Sequence, residues 1–141
     1  MLQLDAILSK YNFSKRTIEP NVSIKEIEKD IDFSLPDDYK YYLTYYNEFE
    51  DFLGPKYLKL FDQDMLLEKN DSYQIIRNLP KTIAIGNNGN SEFIAIEFIK
   101  PNNYRIVLSP FIDLRKEYHI EIGTSFFDML IRLDNGKEWF S

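Results

Sequence analysis

The chain has 141 residues, 44% of them apolar, no cysteine and a net charge of −6. That fits one domain, residues 1–141, able to bury roughly two-thirds of its unfolded surface in its own core. The composition excludes a disulfide framework and a thiolate zinc site, and it fits a reducing cytosol. No basic stretch leading into an apolar run marks a secretion signal, and no segment reaches the about 18 apolar residues of a membrane helix. Ile, Asn and Lys supply 40 residues, a bias typical of AT-rich coding and of a low-GC bacterium.

The first ten residues predict a short helix with Leu4, Ile7 and Leu8 on one side. "NVSIKEIEKDIDF" predicts a second, with Ser23 and Glu26 at capping-box spacing and Ile24, Ile27 and Ile31 at helical intervals. In "SLPDDYKYYLTYYNEFE", Pro36 suits a first helical turn, and Asp37 and Asp38 suit the positive end of the helix dipole. Tyr39, Tyr42, Leu43 and Tyr46 then form one apolar stripe, with Tyr41 and Tyr45 off it. "FLGPKYLKLF" reads as a turn and a strand, and "DQDMLLEKND" as a short helix. "KTIAIG", "SEFIAIEF" and "YRIVLS" read as three successive strands. "TSFFDMLIRLDNG" closes as a helix capped by Thr124 or Ser125, with Phe127, Leu130 and Ile131 turned inward and Gly136 past its end. Short links between strands favour antiparallel pairing. The expected fold is α+β: an antiparallel, or partly mixed, sheet with helices packed around it.

The charge is uneven. Residues 26–71 hold 13 acidic against 5 basic side chains, whereas residues 76–141 hold 8 of each. An acidic region repels a phosphate backbone and attracts a basic partner. "GNNG", Gly86–Gly89, matches the short glycine loop with which KH domains clamp nucleic acid. Here, however, strand-like runs flank it, and no lysine or arginine lies between Thr82 and Ile99. The lysine of a phosphate P-loop is absent too. The loop therefore reads as a strand-to-strand turn, with Asn87, Asn88, Asn90 and Glu92 as possible contacts at its surface.

No catalytic constellation emerges. His119 is the only histidine, with no triad arrangement near it in sequence, and reads as a surface or packed residue. Asp62 and Asp64 lack the glycine and closing glutamate of a calcium loop. The chain is thus expected to be no enzyme and to need no cofactor or metal; a hydrolase with spatially paired carboxylates is the remaining catalytic alternative.

Several segments in order resemble the SUKH superfamily, over roughly residues 23–133. Leu35, Pro36, Asp38, Tyr39, Lys40, Leu43 and Asn47 fit its first motif. Gly86, Gly89, Glu92, Ile94 and Ala95 fit the second, and Ser125, Phe126 and Leu130 the third. Glu48 stands where members often have glycine, and Asn90 replaces a third glycine. The resemblance implies an α+β domain without catalysis. It also implies either of two roles: an immunity protein that neutralises a cognate polymorphic toxin by stoichiometric binding, or a regulator of the yeast cell-wall-synthesis type that binds endogenous partners. A basic nuclease-type toxin domain would complement the acidic region, so Tyr45, Glu48, Glu50, Asp51, Asp62, Asp64 and Asp71 are the expected toxin-facing residues. Direct nucleic-acid or membrane binding is not expected.

Overall fold

A computed structural model describes residues 2–139. Helix α1, Leu2–Lys10, buries Leu4, Ile7 and Leu8. Helix α2, Ile24–Ile31, begins with the expected capping box: the Ser23 hydroxyl accepts from the Glu26 N–H, and the Glu26 carboxylate accepts from the Ser23 N–H. Helix α3, Asp37–Tyr45, buries Tyr39, Tyr42 and Leu43, with Tyr46 buried just past its end. Pro36 is extended and sits at the N-cap, one residue outside the expected first turn.

Six strands follow: β1, Phe49–Leu53; β2, Lys56–Leu60; β3, Thr82–Asn87; β4, Glu92–Lys100; β5, Asn103–Pro110; and β6, Ile120–Gly123. Their spatial order is their chain order, and every pairing is antiparallel, so the sheet has no mixed part. Two of these strands were not predicted. In β1 the charged Glu50 and Asp51 interrupt the apolar pattern, and β6 is only 4 residues long with two of them exposed. The turn and strand expected in "FLGPKYLKLF" are there, as Gly54–Pro55 and β2, and the missed β1 makes them a hairpin: Leu53 pairs with Lys56 around Gly54 and Pro55. Gly54 adopts φ +63°, and an added Cβ would meet the Leu133 carbonyl oxygen at 2.4 Å, so both turn and packing demand glycine.

Between β2 and β3 the chain makes a 3-10 turn, Gln63–Met65, then helices α4, Leu66–Ser72, and α5, Ile75–Asn78. β2 and β3 pair only at Lys59–Asn87 and Leu60–Gly86. Further along β3 a side chain replaces the missing strand. The buried Asn70 amide donates to the Ala84 carbonyl at 2.9 Å and accepts the Ala84 N–H at 2.7 Å. Gly86 allows the strands to meet, since a Cβ there would lie 1.9 Å from the Lys59 carbonyl oxygen.

Helix α6, Phe126–Asp134, closes the fold, with the Ser125 hydroxyl accepting from the Asp128 N–H. Its buried residues are Phe126, Met129, Leu130 and Leu133. The expected inward Phe127 and Ile131 are half-buried instead, because the 126, 129, 130, 133 spacing sets the inward stripe one residue away. Asp38 ties α3 to this helix by accepting the Phe127 N–H at 2.9 Å. Burial pushes the Asp38 carboxyl above its ordinary range, against the backbone N–H bonds that favour its charged form.

The sheet has two unlike faces. One carries the main core, where side chains of α1, α2, α3 and α6 pack on Leu58, Leu60, Ile83, Ile85, Ile94, Ile96, Ile106 and Leu108. On the other, Ile75, Leu79, Phe111 and Leu114 cover only the part built by Ala84, Phe93, Ala95 and Val107. This second cover stops short of β1 and β2, where Glu50 and Phe52 are exposed.

Candidate interaction surface

Strand alternation decides what the uncovered half-face displays. Phe49 and Leu53 of β1, and Leu58 and Leu60 of β2, turn into the main core. Their neighbours Glu50, Phe52, Tyr57 and Lys59 point the other way. Phe52 is 60% exposed, and the Tyr57 ring stands edge-on to it, with centroids 6.1 Å apart. The Tyr57 hydroxyl donates to Glu50, and that bond holds the phenol above its ordinary pKa. Glu50 thus lies exposed on the β1–β2 hairpin.

The glycine loop borders this half-face. Asn87 is the pairing partner of Lys59, and Gly89 presses on the Tyr57 ring: an added Cβ would lie 2.5 Å from the ring. The asparagines build the turn itself. Asn87 Oδ1 accepts the Gly89 N–H at 2.9 Å, Asn88 Oδ1 accepts the Asn90 N–H at 3.1 Å, and the Asn88 amide donates to Glu92 at 2.9 Å. Gly89 takes φ +76°. The turn reading therefore accounts for the "GNNG" residues, and Asn90 and Ser91 are left exposed at the tip.

On the other side of the hairpin a hollow of ≈ 400 Å³ is lined by Glu48, Glu50, Asp62 and Asp64, with Lys59 and Lys69 and with Phe61 and Met65 among its apolar walls. Four of the seven residues expected to face a partner thus come together, although 14 positions separate Glu50 from Asp64 in sequence. Their freedom differs. Asp62 pairs with Arg16 at 3.0 Å, and Asp64 accepts the Val22 N–H at 2.8 Å. Glu48 makes no ion pair among the described residues. Asp51, next along β1, is exposed and accepts the Phe52 N–H at 2.7 Å.

The other two expected residues lie elsewhere. The Tyr45 ring is 53% exposed and packs on Tyr41, with centroids 4.7 Å apart; the Tyr41 hydroxyl reaches Asp5 on α1. Asp71 lines a separate hollow with Asp30, Gln74 and Arg77. The exposed Phe52 and the half-buried Tyr57 beside it were missed from the sequence. The alternation around Gly54 and Pro55 was the signal that would have placed them opposite Leu53 and Leu58.

His119 is packed, one of the two options that its sequence left open. Its side chain is fully buried, and Nδ1 lies 2.7 Å from Glu97, which Arg105 also holds at 3.2 Å. Burial raises the Glu97 pKa, but the bonds from His119 and Arg105 outweigh it and hold the carboxylate below its ordinary range. As a carboxylate, Glu97 accepts, so Nδ1 carries the proton. The trio ties the segment entering β6 to β4 and β5.

Fold and site together describe an α+β domain whose distinguishing surface is a half-open sheet face with an acidic hollow beside it. The SMI1 / KNR4 family (SUKH-1) model matches residues 21–132, and the chain belongs to that family. No curated protein matches the chain. The family is one of non-catalytic immunity and regulatory proteins, so membership supports one of those two kinds of role and protein–protein interaction in general. Among the described residues no helix is long and apolar enough to cross a membrane, and no group of acids and histidines is placed to hold a metal.

Proposed function

We propose that this chain is an immunity protein of the bacterial cytoplasm that neutralises a cognate toxin, a basic nuclease-type domain, by stoichiometric binding. The observation that carries the reading is the convergence of Glu48, Glu50, Asp62 and Asp64 beside the exposed Phe52 and the half-buried Tyr57, on the half of the sheet that the second cover leaves open. An aromatic centre with charges around it is the composition of a protein interface, and acids speed the encounter with a basic groove. Asp51, on the opposite face of β1, adds its charge at the same exposed strand edge, and the Asn87–Glu92 turn forms the border of the open half-face. The whole chain, 1–141, acts as one domain: α1 lies before the family match, yet Leu4, Ile7 and Leu8 join the main core. The alternative, a regulator that binds endogenous partners, rests on family membership alone.

The test is protection. A candidate toxin domain, sought first among the neighbouring genes, is expressed in a bacterial host with and without this chain. Restored growth and a one-to-one complex on size exclusion are expected. Unrelieved killing with no complex contradicts the toxin reading and leaves the regulator.

A further inference from the structure

β1 is an edge of the sheet, and its outer side has no partner strand among the described residues. The Phe52 N–H donates to the Asp51 carboxylate and not to β2, so Phe52–Tyr57 is a non-bonded pair of the ladder. Bonded and non-bonded pairs alternate in an antiparallel ladder, so Glu50–Lys59 is non-bonded as well. The N–H and C=O of both Glu50 and Phe52 therefore point away from the sheet. The opposite edge is different. Gly123 of β6 lies against the backbone of Met129, where an added Cβ would be 2.8 Å away, and Arg132 of α6 reaches Glu121 at 3.9 Å.

We propose that β1 is where a partner protein adds a strand, and that the added segment is extended and carries lysine or arginine. This deepens the toxin reading and rests on it for the partner's identity. Charge selects the occupant. Glu48, Glu50 and Asp51 flank the open edge and are exposed, with no cation paired to them among the described residues. A second copy of this chain would bring the same acids opposite them, and like charges facing each other across strands repel. A basic segment gains ladder bonds from Glu50 and Phe52 and cross-strand ion pairs from the same acids. Phe52, 60% exposed, supplies apolar surface for one of its side chains.

The experiment follows amide exchange by NMR on the full chain, free and with either of two probes. One probe is the toxin domain that this chain protects against in the growth test above. The other is a blocked peptide of about eight alternating Lys and Val residues, a typical strand length. Pairing should slow exchange at Glu50 and Phe52 by about tenfold or more. Phe52→Pro deletes the outward N–H, which Asp51 holds in the free chain and an added strand would take over, and should abolish this binding, whereas Phe52→Ala, which keeps the N–H, should retain most of it. If the toxin binds while Glu50 and Phe52 exchange as in the free chain, strand addition is wrong and the immunity reading stands. If the peptide protects both amides but the toxin does not bind, the edge site stands and the toxin reading falls. If neither probe protects them, strand addition at β1 is overturned.

Discussion

Glu97 and Glu50 sit on the same face of one sheet and meet opposite fates. Glu97, on β4, is 6% exposed and held by His119 and Arg105. Glu50, on β1, is exposed with a tyrosine hydroxyl as its partner. Strand alternation places both, and what lies over them separates them. The segment from Phe111 to His119 closes over the β4–β5 half, and nothing comparable reaches β1 and β2. A carboxylate buried with two cationic or donor partners is a structural cross-tie. A carboxylate left open on an edge hairpin is available to a partner.

Substitutions should separate the two regions. The largest effect belongs to the main core beneath both: Ile96→Ala, at a fully buried position, should cost about 3–4 kcal/mol in urea unfolding. An effect below about 1 kcal/mol would mean that the core there is looser than described. Next comes Glu97→Ala, which strands Arg105 and His119 and should cost about 2–3 kcal/mol. The sign of its pH dependence follows from the lowered pKa. The folded carboxylate holds its proton less tightly than the unfolded one, so Glu97 stabilises above its ordinary value of 4.5, and that stability is lost as pH falls through the folded value. Stability of a Glu97→Gln variant should therefore fall less steeply than wild type below pH 4.5. An unchanged slope would contradict the cross-tie. Gly86→Ala should cost about 2 kcal/mol by driving β3 off the Lys59 carbonyl, read as a lowered melting temperature. Phe52→Ala, on the open half, should change stability by less than about 0.5 kcal/mol.

Much of this was readable in the residues. The three helices of the first half, the β3–β5 strands and the capping box of α2 follow from periodicity and local hydrogen-bond chemistry, which act over a few residues. The family resemblance, quoted over 23–133, agrees with the match at 21–132. Strands β1 and β6 were hidden because edge strands need only half an apolar pattern, and Glu50, Asp51 and Glu121 occupy the rest. The site was partly legible. Acid density pointed to Glu48, Glu50, Asp62 and Asp64, but their meeting depends on the hairpin folding back so that β1 and the 3-10 turn after β2 share one hollow. The engagement of Asp62 by Arg16 joins residues 46 apart, a distance that no local pattern reports. Tyr45 looked like a companion because it lies three residues before Glu48, yet its ring packs on Tyr41 at the α1 side.

The acidic hairpin is the centre of the account, and association kinetics test it most directly. The chain carrying Glu48→Lys, Glu50→Lys and Asp51→Lys is compared with wild type for binding to the immobilised toxin domain proposed as its partner, at two salt concentrations. All three side chains are exposed, so the fold should be unchanged by circular dichroism. Charges at an interface rim act mainly by steering, over a screening length of about 8 Å at physiological ionic strength. The on-rate should fall by about tenfold or more, with a flatter salt dependence and a smaller change in off-rate. An on-rate and salt dependence equal to wild type would contradict it and place the interface away from the hairpin.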